Sequence, residues 1–158
     1  MAIDTKEFRN ACGNFATGVT IVTSTSKDGE VQGMTVNGFM SVSLDPALIV
    51  VSIGKNQKMH NTIKESGIYG VSVLNDGQKE ISNHFAGMHN SELIVEFSSK
   101  DNIPYLTENI ACFLTKVTQC IDAGDHTLFI GEVFSFEMKE GLPLMFYKGS
   151  YRNLKAIN

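Results

Sequence analysis

Residues 33–46, GMTVNGFMSVSLDP, carry more short polar side chains than a core strand needs. Four of them are spaced two or four residues apart: Thr35, Asn37, Ser41 and Ser43. On a fully extended chain all four would point to one face. The glycines in the segment let a ligand approach the backbone closely. The pattern favours a face for a flat, hydrogen-bonding ligand, against the alternative of a barrel strand that turns at Asn37-Gly38.

Length, composition and charge restrict the class of protein. The 158 residues are 42% apolar and 19% charged, which is typical of one globular domain covering residues 1–158. Lys and Arg number 13 against 17 Asp and Glu, a net charge of −4, so nucleic acid is not an expected partner. Apolar runs reach about five residues, against roughly 20 for a membrane-spanning helix, so no membrane partner is expected.

The N-terminus and the cysteines predict a location. MAIDTKEFRN contains acidic residues and no apolar core, so no secretory signal is expected. The three cysteines, Cys12, Cys112 and Cys120, are odd in number and form no C-x-x-C pair. This favours a reduced, cytoplasmic protein over a disulfide framework or a zinc site, and no metal is predicted.

Periodicity predicts short helices between many strands. A D-x-x-E capping box at Asp4 opens a helix that we expect to end at Gly18, and further helices are predicted at 56–65 and 77–86. Strands are predicted at 19–24, 33–46, 47–53 (a buried strand), 68–74, 111–120, 127–138 and 143–147. In the strand at 127–138, the apolar residues on one face are Leu128, Ile130, Phe134, Phe136 and Met138. Asp28-Gly29 predicts a hairpin turn.

Hairpin-like succession with few helices indicates a mainly β protein, an antiparallel barrel or sandwich. A parallel doubly wound sheet would need a crossover helix between most strands. The sequence also contains no G-x-G-x-x-G and no phosphate-binding loop motif. Any nucleotide must therefore be held without those devices.

Four sequence blocks occur in an order typical of one family: GMTVNGFMSVSLDPALIVVSI, SNHFAGM, GDHTLFIGEV and PLMFYKGSY. Residues 8–151 thereby resemble the flavin reductase-like family, and are most similar to the short-chain reductase components of two-component flavin-dependent monooxygenases. The resemblance implies an antiparallel split β-barrel of the FMN-binding type with a few short helices. It also implies a homodimer that binds FMN or FAD near the subunit interface, takes hydride from NADH or NADPH, and passes reduced flavin to a partner oxygenase.

The resemblance also implies which residues hold the flavin. It places the first block along the isoalloxazine ring, where backbone amides and short polar side chains suit the ring nitrogens and oxygens; the residues concerned are Met34, Thr35, Val36, Asn37, Ser41, Val42 and Ser43. It brings His84 and Phe85 towards the flavin, with a hydrogen-bonded structural role as the alternative for His84. It sets Tyr151 at the edge of the site, with a solvated C-terminal residue as the alternative. Lys58 and Thr62 lie near a predicted helix start that suits the flavin phosphate, with a solvated helix start as the alternative.

Gly124, Asp125 and His126 form the sharpest candidate site. The resemblance associates this block with the nicotinamide nucleotide. It makes His126 the candidate catalytic residue, and Asp125 would fix its orientation and tautomer. His126 need not transfer a proton, because hydride passes directly between the cofactors. The alternative is an ordinary Asp-His pair in a hairpin turn.

The leading hypothesis is therefore an NAD(P)H:flavin oxidoreductase. Two alternatives stay open: an FMN-holding electron-transfer protein, flavoredoxin-like and without a nicotinamide substrate, and a small-molecule-binding barrel without turnover. A hydrolase is disfavoured because G-x-S-x-G is absent from the sequence. His84 and His89 are five residues apart, which does not place both on one helix face for a metal. The sequence leaves open FMN against FAD, NADH against NADPH, and flavin as substrate or prosthetic group.

Overall fold

The computed structural model describes residues 2–155 and residue 157. Within these residues the chain forms three short helices, α1 (Thr5–Cys12), α2 (Lys58–Ser66) and α3 (Lys79–Phe85). The strands are β1 (Thr17–Gly18), β2 (Thr20–Thr25), β3 (Val31–Val36), β4 (Phe39–Leu44), β5 (Ala47–Gly54), β6 (Ile68–Val73), β7 (Phe97–Lys100), β8 (Ile103–Leu106), β9 (Ala111–Ala123), β10 (His126–Met138), β11 (Leu144–Tyr147) and β12 (Ser150–Asn153).

Seven strands form the main sheet in the order β3-β2-β6-β9-β10-β5-β4. Every pairing in this sheet is antiparallel. The strands β1, β11 and β12 form a second sheet, and β7 pairs with β8. The predicted class, mainly β and antiparallel with a few short helices, is confirmed.

The first helix begins where the capping box predicts and ends earlier than expected. Asp4 accepts hydrogen bonds from the amides of Lys6 and Glu7, which satisfies two free donors of the first turn. The helix ends at Cys12, and Gly13 caps it by donating to Arg9 and Ala11 carbonyls. The prediction that Gly18 ends the helix was wrong, since Gly18 lies in β1.

The other boundaries lie within a few residues of prediction. Helix α2 ends at Gly67, whose φ of 69° is the left-handed conformation that a glycine adopts without a side-chain clash. The turn at Asp28-Gly29 joins β2 to β3, as expected. The strands β7, β8 and β12, of four residues each, were not predicted, whereas β11, of the same length, was.

The segment 33–46 does not form one face. It divides at Asn37-Gly38 into β3 and β4, which stand at opposite ends of the main sheet. A bulge between Ser41 and Ser43 then shifts the register within β4. The prediction of a single polar face was wrong, and the alternative of a turn at Asn37-Gly38 is confirmed. A row of side chains needs an unbroken strand, and the turn interrupts it.

The core lies inside the curved main sheet, with a second cluster beneath β11. Ile49, Val51 and Ile53 are buried, while the residues between them are partly exposed. The expectation of a fully buried strand at 47–53 was therefore wrong, because β5 buries only one face. On β10 the predicted apolar row is the outer face: Phe129 is buried, whereas Phe136 is 65% and Met138 80% exposed.

Candidate functional site

An open cavity of about 670 Å³ lies beside the turn between β3 and β4. This volume is within the range of small-molecule and cofactor sites, about 300–1,000 Å³. Both halves of the main sheet and the chain that leads into β1 contribute to the walls. The lining residues are Phe15, Ala16, Thr17, Gly18, Thr20, Asn37, Gly38, Phe39, Met40, Val50, Ser52, Val73 and Leu128.

The walls combine apolar surface with a few polar groups. The side chains of Asn37 and Ser52 form no hydrogen bond within the described residues. The Thr17 hydroxyl is buried and has no partner within residues 2–155 and 157. At the turn, Ser52 N–H donates to Gly38 O (2.9 Å), and a Cβ on residue 38 would lie 3.1 Å from Ser52 Cβ. Glycine thus allows the two strands to approach here, and the donor set fits a flat heterocycle with polar edge atoms.

The GDH turn, residues 124–126, lies in the hairpin between β9 and β10. Gly124 has a φ of 64°, and glycine at this position is typical of a two-residue type II′ turn. His126 pairs with Gly54 of β5, and two residues further along both strands Leu128 pairs with Ser52 of the cavity wall. The ladder between β5 and β10 therefore sets His126 next to the cavity.

His126 and Asp125 form a close pair in this turn. Nδ1 of His126 lies 2.7 Å from Asp125 Oδ1. This hydrogen bond, with the charge of His126 and a smaller effect of Lys55, holds the pKa of Asp125 below its ordinary value. Because Asp125 accepts from Nδ1, the free ring nitrogen is Nε2, which lies 3.8 Å from the position a Cβ on Gly54 would take. The absent side chain leaves this edge of the imidazole accessible.

A second group of predicted residues lies between α3 and β3. Thr35 Oγ1 donates to Ser82 O (2.6 Å), and the Ser82 hydroxyl lies 2.8 Å from the Tyr151 hydroxyl. Phe85 packs directly on Gly33, where a Cβ would come within 2.7 Å of the ring. These contacts fix α3 against the edge of the sheet, and none of the residues named here lines the cavity.

The two histidines of the α3 region lie together although helical spacing keeps them on different faces. The helix ends at Phe85, and Gly87 (φ 99°) follows in the connecting segment. The rings of His84 and His89 then approach to 4.5 Å between centroids. Among residues 2–155 and 157, no three His, Cys, Asp or Glu side chains are grouped as metal ligands.

Lys58 and Thr62 occupy different environments. Thr62 is buried, and its hydroxyl donates to Gln32 Oε1 on β3 (2.8 Å), with Lys58 O at 3.2 Å as a second acceptor within reach. Lys58 is exposed at the first position of α2. The N-cap Gln57 makes no side-chain cap, and the His60 amide donates to Gln57 O at 3.0 Å.

The structure thus gathers only part of the predicted flavin segment at the cavity. Asn37 lines it, while Met34 and Val36 pack on the core. Ser41, Val42 and Ser43 lie further along β4 and do not line the cavity. Sequence reasoning missed the segment 15–18, Ser52 and Leu128. Ser52 had a visible signal, since it is the one hydroxyl in the apolar stretch ALIVVSIG.

The structure thus combines a split antiparallel barrel, an open and mainly apolar cavity, and an Asp–His pair in the β9–β10 hairpin. Residues 12–155 match the family model described as the flavin reductase like domain, and the chain belongs to this family.

Three relatives illustrate the match. An NADH-dependent flavin reductase from Rhodococcus sp is 43% identical over 151 residues, covering 94% of this chain and 86% of that protein. The structure of flavin reductase PheA2 in its native state has a TM-score of 0.93 at 44% identity, over 98% of this chain and 100% of that one. The styrene monooxygenase flavin reductase from Pseudomonas putida S12 has a TM-score of 0.88 at 34% identity, over 96% and 99% of the two chains. The predicted resemblance and split barrel are confirmed.

Proposed function

We propose that the protein is an NAD(P)H-dependent flavin reductase whose flavin lies in the cavity at the β3–β4 turn and whose nicotinamide substrate meets it at the GDH turn. The reaction class predicted from the sequence is confirmed by the relatives, one of which is named an NADH-dependent flavin reductase. The observation that supports the assignment of the sites is the adjacency of His126 to the cavity through the paired residues Ser52 and Leu128.

FMN or FAD is the cofactor that fits the cavity. The amide of Asn37 and the hydroxyl of Ser52 are placed to hydrogen-bond polar ring edges, while Leu128 and Val50 cover apolar surface. When bound, the flavin supplies the two-electron acceptor chemistry, and the protein supplies binding and orientation. The N-terminus of α2, which no side chain caps, and the exposed Lys58 offer an anion site for a phosphate, in keeping with the predicted role of Lys58.

His126 is proposed to orient the nicotinamide. Asp125 holds Nδ1, so Nε2 is presented towards the substrate and hydrogen-bonds the carboxamide or lies against the ring. No proton is moved by His126. Its contribution is to bring the hydride donor within the roughly 3–3.5 Å separation that direct transfer requires. NADH is the preferred donor by analogy with the Rhodococcus relative.

Steady-state oxidation of NADH and NADPH with FMN, FAD and riboflavin tests this assignment. The variant His126→Ala should raise the KM for the nicotinamide about tenfold, the equivalent of one strong hydrogen bond, and leave the flavin KM within about twofold. His89→Ala is the matched control, because it removes an exposed imidazole that does not line the cavity. Equal losses for both substrates in His126→Ala would contradict the placement. A yellow protein with tight FMN and no turnover would support the flavoredoxin-like alternative instead.

We also propose a homodimer that forms through the outer face of β4 and β10. Large apolar side chains are exposed there: Met40, Val42, Leu44, Phe134, Phe136 and Met138. Leu44 is 95% exposed. Large exposed apolar side chains on two strands that both pair with β5 are typical of a protein–protein interface. A second copy of the same face is its proposed partner, because the family resemblance implies a dimer.

Light scattering after size-exclusion chromatography tests the dimer. Phe136→Lys should convert a dimer of about twice the 17.3 kDa chain mass to a monomer. Ile94→Lys is the control, because Ile94 is 85% exposed in the segment between α3 and β7. A wild-type protein that runs as a monomer at micromolar concentration would refute the interface.

Reduced flavin is proposed to pass to a partner oxygenase, as the name of the styrene monooxygenase reductase suggests for that protein. We place the enzyme in the cytoplasm on the three unpaired cysteines, Cys12, Cys112 and Cys120. In the part of the chain that the structure describes, no helix has both the length and the apolar character to cross a bilayer.

A further inference from the structure

A line of hydrogen-bonded side chains runs from the protein interior to the GDH turn. It begins at His60 on α2, which is 8% exposed and has no part in the function proposed above. Nε2 of His60 lies 2.9 Å from the hydroxyl of Thr127, a buried residue that directly follows His126. Thr127 Oγ1 in turn donates to Asp122 Oδ1 at 3.3 Å.

The donors and acceptors along this line follow from the Asp122 carboxylate at its end. A carboxylate can only accept, so the single proton of the Thr127 hydroxyl points to Asp122. Thr127 Oγ1 then accepts from Nε2–H of His60, whose other ring nitrogen, Nδ1, lies 3.3 Å from Oδ1 of Asn61. Replacing either donor interrupts the whole line, because each hydrogen bond orients the next.

At Asp122 the line meets a second set of contacts that hold the turn, those made by Lys55. Asp122 pairs with Thr127 across the β9–β10 ladder, and its carboxylate lies 3.5 Å from Lys55 Nζ. The backbone amide of Lys55 donates to Asp125 O at 2.9 Å. The turn that carries His126 is therefore held at Asp125 by the backbone amide of Lys55, just after β5, and at Thr127 by the side chain of His60.

We propose that His60 is a positioning residue for the nicotinamide site. It acts through Thr127 and Asp122 on the orientation of the GDH turn and touches no substrate itself. The proposal rests on the proposed function, in which His126 meets the nicotinamide. The competing explanation is that His60 only packs in the core. Its ring also lies edge-on to Phe129, with 5.4 Å between the ring centroids. An apolar side chain of similar size keeps that packing and removes the hydrogen bond.

Three variants separate these explanations: His60→Leu, His60→Gln and Thr127→Val. Gln presents a donor near the position of Nε2, so His60→Gln should keep the line intact. His60→Leu and Thr127→Val should each raise the KM for NADH about three- to tenfold, the effect of one neutral hydrogen bond, with kcat and the flavin KM within about twofold. The double variant should lose no more than the larger single loss, because both changes break the same line. His60→Gln should stay within about twofold of wild type.

A measurement without turnover accompanies the kinetics. Amide hydrogen exchange at Lys55, whose N–H donates to Asp125 O, should accelerate in His60→Leu and not in His60→Gln. If His60→Leu changes neither this exchange nor the KM for NADH, or if Leu and Gln behave alike, the positioning role is overturned. If His126→Ala raises the KM for NADH and His60→Leu does not, the positioning role is again overturned. If His126→Ala itself leaves the KM for NADH unchanged, the nicotinamide site is misplaced and the proposed function fails.

Discussion

Alanine at position 131 would place a methyl group where β10 passes the side chain of Tyr69. The added Cβ would lie 2.7 Å from Tyr69 Oη and 2.9 Å from Thr115 Cβ. Neither neighbour has room to move: Tyr69 is fully buried and its hydroxyl donates to Phe129 O (3.1 Å), while Thr115 Oγ1 donates to Tyr69 O (2.7 Å). A phenol is protonated at neutral pH, and burial raises the pKa of Tyr69 further, so the hydroxyl is a donor.

The expected loss combines two effects. Overpacking a tight core costs about 1–3 kcal/mol, and displacing the Tyr69 hydroxyl from its acceptor costs about 1 kcal/mol more. We therefore expect Gly131→Ala to lower the free energy of unfolding by about 2–4 kcal/mol, from the same two effects. For a domain of this size that corresponds to a fall in Tm of roughly 5–15 °C.

Urea denaturation of the wild type, Gly131→Ala, Tyr69→Phe and the double variant measures how much of this loss comes from Tyr69 Oη. Tyr69→Phe removes Oη, so Gly131→Ala should cost at least about 1 kcal/mol less in the Tyr69→Phe background than in the wild type. The same cost in both backgrounds would show that Tyr69 does not set the limit. A loss below about 0.5 kcal/mol in the wild-type background would refute the packing argument altogether, since that is the range of an ordinary surface substitution.

Three further predictions concern local contacts. The carboxyl of Asp125 should titrate below its ordinary pKa in a ¹³C NMR titration, and His126→Ala should return it towards that value. Because the folded pKa is the lower one, the pair stabilises the fold above the unfolded pKa and loses this contribution as the pH falls through the folded pKa. Asp4→Ala should destabilise α1 by about 0.5–2 kcal/mol, seen as faster amide exchange in that helix with little change in Tm, because α1 buries no residue. Thr35→Val should lower the free energy of unfolding by about 1 kcal/mol, since Ser82 O loses its donor, and an unchanged urea midpoint would count against that hydrogen bond.

The sequence predicted those parts of the fold that local chemistry determines. The capping side chain of Asp4, the left-handed Gly67 and the turn glycine Gly29 all act on neighbouring residues, so their signals are visible in a short window. Long alternation likewise predicted β9 and β10, the two 13-residue strands of the main sheet.

The remainder depended on contacts between distant residues. The division of 33–46 into two strands involves a distant residue, Ser52. Its N–H donates to Gly38 O, directly before β4 begins. The close approach of His84 and His89 depends on where α3 ends. In the candidate site, the sequence predicted His126 and Asn37, whereas Ser52, although it is the one hydroxyl in ALIVVSIG, is brought beside Leu128 by the pairing of β5 with β10, which no short window shows.

Asn37 and Gly38 join β3 and β4, the two edge strands of the seven-stranded sheet. The barrel therefore closes at this connection. The cavity lies beside the same connection, and Asn37 and Gly38 line it. Its walls include Thr20 and Val73 from the β2–β6 half and Val50 and Leu128 from the β5–β10 half. A molecule in the cavity therefore links the two halves of the sheet, and its binding free energy adds to the stability of barrel closure. Ligand binding and the stability of the barrel are therefore linked, and a ligand at saturating concentration should raise the Tm of the protein.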